Sequence, residues 1–154
     1  MALVILTGAS GSGKTTIAKS IAENYPAIPV FRFDSVGVPS SEELASYGKD
    51  HMPGGTWMRD TTFKWMERIA TVLSEGKHVL FEGQMRIRFI LEALAAAKIH
   101  GAHILCIECD DVTRMRRLKH DRLQPELADG KMLGWSRYLH QGALKGRDRN
   151  PGYH

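Results

Sequence analysis

Leu3-Val4-Ile5-Leu6-Thr7-Gly8-Ala9-Ser10-Gly11-Ser12-Gly13-Lys14-Thr15-Thr16 is the stretch that decides the fold. Four apolar residues run into a loop of the form G-x-x-x-x-G-K-T, and Ile17, Ala18, Ile21 and Ala22 follow at helical spacing. A glycine-rich turn between a strand and a helix is the context this motif requires for binding phosphate. Gly8, Gly11 and Gly13 can take backbone angles closed to other residues, so the loop can turn its amide N–H groups inward around an anion. The helix N-terminus that follows adds its dipole. The spacing therefore predicts a nucleoside triphosphate site formed by Gly8, Ala9, Ser10, Gly11, Ser12, Gly13, Lys14, Thr15 and Thr16. Lys14 is expected at the β- and γ-phosphates and the Thr15 hydroxyl on Mg²⁺.

Working outward, the 154 residues fit one domain, spanning 1–154, that buries about 70% of its extended surface. A hydrophobic content of 43% with 25% charged residues is that of a soluble globular protein. No apolar run approaches the ~20 residues of a membrane span, and the start lacks the basic region of a signal peptide, so a cytoplasmic protein is expected. Cys106 and Cys109 lie in one apolar run, where residues three apart face opposite sides of a strand. They are expected as buried thiols, not a disulfide or a metal pair. The net charge of +4 is uneven. Residues 1–110 carry 11 Lys and Arg against 12 Asp and Glu, and residues 111–154 carry 10 against 5. That excess suits nucleotide phosphates, nucleic acid or solvent, and charge alone does not choose among them.

Strand and helix patterns then alternate. Helices are expected over Lys14 to Tyr25, Ser41 to Tyr47, Trp57 to Ser74, a segment around Ile87 to Leu94, Asp111 to His120 and Lys131 to Leu144. Strands are expected over Ile28 to Phe33, His78 to Phe81 and residues 102–109. Val112, Met115 and Leu118 should face inward on the fifth of these helices, and Met132, Trp135, Leu139 and Ala143 on the sixth. Residues 35–56, rich in Gly, Pro and Ser, read as a substrate-facing segment. Such alternation predicts an α/β fold, a parallel sheet of four or five strands with helices on both faces, and ligands at the carboxyl ends of the strands. The loop of residues 8–16, Asp34, the segment from Glu82 to Arg88, and Asp110 with Asp111 should meet on that rim.

The chain resembles the P-loop kinase superfamily, which includes adenylate, shikimate and gluconate kinases and chloramphenicol phosphotransferase, from residue 1 to about 145. Phe31-Arg32-Phe33-Asp34-Ser35 is similar to the strand-Asp-Ser pattern of antibiotic and small-alcohol kinases, which implies Asp34 as the base that takes the acceptor's proton. Glu82-Gly83-Gln84-Met85-Arg86 resembles D-G-x-P-R of the nucleoside monophosphate kinases, with Glu for Asp and Met for Pro. The likeness implies Glu82 in the Mg²⁺ shell and Arg86 on the acceptor. Arg117 and Arg122 match loosely the pair that packs on adenine and closes over the transferring phosphoryl, with a short lid at about 121–130. Trp57, after a glycine turn, reads either as core or as a wall of the acceptor pocket.

The resemblance thus implies an ATP-dependent small-molecule kinase acting on a hydroxyl or a phosphate, with ATP and Mg²⁺. A polynucleotide 5′-hydroxyl kinase, and a nucleotide-sensing module without an acceptor, are the other two readings. No N-K-x-D guanine-nucleotide signature is present. The family strand order 2-3-1-4 would leave residues 102–109 at the sheet edge. Either the tail or a second subunit, in a homodimer, is expected to cover it.

Overall fold

The computed structural model describes residues 1–48 and 54–147. Its elements are β1 (Leu3–Thr7), α1 (Lys14–Asn24), β2 (Val30–Arg32), α2 (Ser41–Ala45), α3 (Thr56–Ser74), β3 (Val79–Glu82), α4 (Ile87–Ala96), β4 (His103–Cys106), α5 (Asp111–Arg116) and α6 (Gly130–Arg147). The four strands form one parallel sheet in the order β2-β3-β1-β4. Register places Leu6 beside Glu82, Thr7 beside Cys106, and Arg32 beside Glu82, so the strands end on a common rim.

Strand alternation divides the core into two layers. Leu3, Ile5, Val79, Phe81 and Ile104 pack with α3, α4 and Ala143 of α6. Leu6 and Leu80 point the other way, against Ala18 of α1 with Val4, Val30 and Leu105 around them. Because both faces are covered, the strands carry near-continuous apolar runs. Among the described residues no helix is long and apolar enough to cross a membrane.

Several sequence expectations shift. The second strand, expected over Ile28 to Phe33, is only Val30–Arg32 and gives way to a 3₁₀ turn at Phe33–Val36, which puts Asp34 inside that turn, two residues past the strand. Gly83 lies so close to Phe33 that a Cβ on it would collide with the Phe33 side chain, which seats this turn on the sheet. The fourth strand is also short, leaving Cys109 beyond it. On α1 the inward face is Lys14, Ala18 and Ile21, while Ile17 is exposed. The helix expected over 111–120 is α5 followed by a π-type turn at Arg117–Asp121. Val112 on it is 80% exposed, contrary to expectation, and Arg114 turns inward instead, because its guanidinium finds backbone carbonyls there. Met132 and Trp135 are half-buried, and only Leu139 and Ala143 of the expected α6 face are buried. No fifth strand occurs among the described residues, so β4 ends the sheet. Of the tail expected to cover it, residues 146–154, the first two end α6 and residues 148–154 lie outside the described residues.

Candidate active site

The loop between β1 and α1 takes its shape from three left-handed glycines: φ is +133° at Gly8, +78° at Gly11 and +110° at Gly13. At Gly8 glycine is required twice, since a Cβ would also collide with the carbonyl oxygen of Ile107. Gly13 is the N-cap of α1, and no side chain caps the helix. The first amides of α1 are therefore left for an anion. Lys14 opens that helix with its ammonium drawn back into the loop, where Nζ donates to the Ala9 carbonyl at 3.1 Å. Burial pushes its pKa down to about 8. The nearby Arg122 and Arg114 push the same way, and Glu82 and Asp34 oppose them.

One buried and several half-buried side chains brace this loop from outside. Arg114, 1% exposed, donates through Nη1 to the Ser10 carbonyl at 2.9 Å and through Nη2 to the Cys109 carbonyl at 3.3 Å. Arg117 Nη1 reaches the carbonyls of Gly11 and Ser12 at 3.1 and 3.2 Å. On the other side the Gln84 amide forms a reciprocal pair with Ser10. Its oxygen accepts from the Ser10 backbone N–H at 3.0 Å, and its nitrogen donates to the Ser10 hydroxyl at 3.0 Å. The Cys109 thiol donates to the Gly11 carbonyl at 3.5 Å. The Ser10 and Ser12 N–H groups are taken, by Gln84 and by the Ala9 carbonyl, but with its carbonyls tied outward the loop can turn its remaining amides to a phosphate.

The sequence pattern singled out neither Gln84 nor the bracing role of Arg114. Arg114 sits in a run of basic residues that looks like a solvated face, and Gln84 carries no periodic signal. Only its place two residues after a strand-end acid could have pointed to it.

On the rim, Glu82 is buried at the end of β3 and accepts from the Thr15 hydroxyl at 3.4 Å. Burial holds its pKa above the usual carboxylate range; the nearby Asp34 raises it further, while Lys14, Arg32 and the Thr15 hydroxyl pull it down. Arg32 Nε stands 4.0 Å from the Glu82 carboxylate, a second cation that the sequence reading did not single out. Arg122 Nη2 donates to Thr15 Oγ1 at 3.4 Å. Residues 11–17 with Arg117, Asp121 and Arg122 line a cavity of about 400 Å³. Lys14, Thr15, Glu82, Asp34 and Arg122 thus come together around one loop, with Asp34 exposed at its edge.

Two expected site residues lie elsewhere. Arg86 sits with its guanidinium 5.1 Å from the Tyr138 ring centroid, 5.7 Å from Trp135 and 5.6 Å from Phe89, and it lines a different cavity between α4 and α6. In that position it ties α4 to α6. Trp57 is buried and packs edge-on against Phe33 at 5.6 Å, while also lining a cavity beside α2. Trp57 is therefore a core residue that also borders a cavity. The two cysteines are free and half-buried; burial pushes the Cys106 thiol up to about 11.

A family model described as "AAA domain" matches residues 7–130, from the end of β1 through the loop, the rim and the segment with Arg117 and Arg122. The chain belongs to this AAA domain family. No curated protein matches it by sequence. Among solved structures, a gluconokinase from Sinorhizobium meliloti 1021 is similar at 20% identity and a TM-score of 0.58, over 87% of this chain and 74% of that one. A protein of Chloroflexus aurantiacus J-10-fl described as a candidate kinase is similar at 17% identity and TM-score 0.54, over 90% and 77%. A shikimate kinase from Acinetobacter baumannii, solved with shikimate, aligns at 20% identity over 97% and 77%, but its TM-score of 0.47 adds nothing to the argument. The first two likenesses bear out the fold: this AAA domain carries a parallel sheet with flanking helices like theirs.

Proposed function

We propose that the protein is an ATP-dependent phosphotransferase that moves the γ-phosphoryl group onto a small-molecule acceptor hydroxyl or phosphate. The observation that carries this reading is the convergence of one buried lysine, two carboxylates and one arginine on the glycine loop: Glu82, Asp34 and Arg122 all act electrostatically on Lys14, and Lys14 and Asp34 on Glu82. The braced loop would hold the β- and γ-phosphates by its amides, and Lys14 would add a positive charge where negative charge develops. Arg122 approaches from the opposite side through Thr15. Arg117 lines the same cavity, where its guanidinium plane can pack on a base.

The residues present fit a magnesium ion. The Thr15 hydroxyl and the buried Glu82 carboxylate stand 3.4 Å apart, and the desolvated carboxylate is one that a dication would stabilise. When bound there, Mg²⁺ neutralises phosphate charge. Asp34, exposed on the same rim, would accept the proton of an acceptor hydroxyl.

An ATP-consumption screen over alcohol and phosphate acceptors, run with the wild type and Asp34→Asn, tests this. For a hydroxyl acceptor the variant is expected to lose roughly 10²–10⁴-fold in turnover, the range for removing a general base, with ATP-dependent thermal stabilisation retained. Turnover on no acceptor, with slow hydrolysis indifferent to the substitution, would favour a nucleotide-sensing module instead.

A further inference from the structure

A cavity of about 810 Å³ opens between the segment 36–47 and α3. That volume is within the range of small-molecule sites. Its walls include the aromatic rings of Tyr47, Trp57 and Trp65 and two cations, Lys64 and Arg68. The Arg68 guanidinium lies 5.3 Å from the ring centroids of both Phe31 and Trp65. Neither Lys64 nor Arg68 has an ion-pair partner among the described residues. The acid on the wall, Glu43, is already engaged, since its carboxylate accepts from the Ser40 N–H at 2.7 Å in the capping box of α2. Ser46 is engaged too, its hydroxyl donating to the Glu43 carbonyl at 2.6 Å.

Trp65, on the same wall, is 5% exposed, so its ring offers the cavity an edge and not a free polar group. The cavity also adjoins the candidate active site. Val36 lines it, and Asp34, two residues earlier in the same 3₁₀ turn, acts on Lys14 and Glu82. Two residues span at most about 7 Å of chain.

The geometry points to this cavity as the seat of the acceptor's body, and to an acceptor that is an anion with a flat apolar or aromatic frame. This rests on the kinase reading above. Aromatic walls take the frame, Lys64 and Arg68 take the acid group, and the hydroxyl projects past the 33–36 turn towards Asp34. There the hydroxyl oxygen forms the new bond to the γ-phosphorus while the bond to the β,γ-bridging oxygen breaks. ADP leaves with that electron pair, and the hydroxyl proton passes to the Asp34 carboxylate. A polyhydroxylated sugar acid fits less well, because Glu43 and Ser46 are already engaged.

The probe is 4-(hydroxymethyl)benzoate, compared with the uncharged benzyl alcohol and with gluconate, and read by quenching of tryptophan fluorescence. The benzoate is expected to quench saturably, and benzyl alcohol to bind at least about tenfold more weakly, as loss of a charged hydrogen bond implies. Arg68→Gln and Lys64→Gln should weaken the benzoate similarly, with Arg68→Lys recovering part of the loss. Lys14→Ala should leave the quenching intact, since that residue lies in the phosphate loop. Absence of saturable quenching, or equal binding of all three probes, would overturn the ligand class. So would Gln variants that bind as the wild type does. ATP consumption separates the two readings. Consumption with gluconate but no binding of the benzoate sinks the ligand class and leaves the kinase standing. Benzoate binding with no consumption by any aromatic hydroxy acid that binds sinks the acceptor assignment, and the kinase reading falls with it only if no other alcohol or phosphate acceptor supports ATP consumption.

Discussion

The phosphate loop and the aromatic cavity meet at the 33–36 turn, and they are built in opposite ways. Around the loop the backbone does the positioning, with left-handed glycines shaping it and buried Arg114 with half-buried Arg117 and Gln84 tying its outer atoms to neighbouring elements. The cavity is shaped by side chains, from α3 on one wall and from the exposed segment 36–47 on the other. A polyphosphate presents the same oxygens in every nucleotide, so a rigid ring of amides suffices for it. An acceptor differs from protein to protein in shape and charge, and variable side chains on a helix face can follow it.

Two glycines sharpen the contrast. Gly8→Ala would force a Cβ into the Ile107 carbonyl at a φ of +133°, so it should destabilise the protein by about 3 kcal/mol or more, read as a fall in the urea midpoint. Gly37 has a φ of +77° but nothing near its missing Cβ. Gly37→Ala should therefore cost only about 1 kcal/mol, the strain term alone. Equal losses at the two sites would mean that the loop is no more constrained than the cavity wall.

Next in size is a pH effect confined to the loop. Lys14 titrates near 8 in the folded chain, against 10.5 for the free side chain. Between those values the unfolded chain binds more protons, so stability of the ligand-free protein should rise with pH there. Triphosphate affinity should fall across the same window, by up to about tenfold per pH unit, as the ammonium that binding favours is lost. Lys14→Met should flatten both profiles, and ligand binding in the cavity should show neither. Isothermal titration at pH 7, 8, 9 and 10 checks it; an affinity that holds constant to pH 10 would break the comparison.

The smallest effect concerns the braces. Gln84→Ala removes both bonds to Ser10 and should weaken ATP binding by about 1 kcal/mol, roughly fivefold, while Gln84→Glu keeps only an acceptor for the Ser10 N–H. Cavity ligands should bind both variants as they bind the wild type.

Much of this was legible before any coordinates. The alternation of apolar runs and helical periods was enough for the parallel sheet, and strand-end acids at 34 and 82 were enough to place them on one rim. What the chain did not disclose is orientation. Arg114, in a run of four basic residues, reads as solvated and is nearly inaccessible, whereas Val112 reads as core and is exposed. Arg86 reads as an acceptor contact by resemblance and stands among the rings of Phe89, Trp135 and Tyr138.

By itself the sequence determined the loop, because glycine spacing is a local constraint on backbone angles that neighbours cannot supply. It also determined the sheet's composition, because a strand covered on both faces must be apolar along its length. Which cations are buried, which carbonyls they hold, and what lines the cavity beside α3 were decided only in the tertiary structure. Those contacts join residues as much as 107 positions apart, as Thr15 and Arg122 are, and no periodicity along the chain records a partner at that distance.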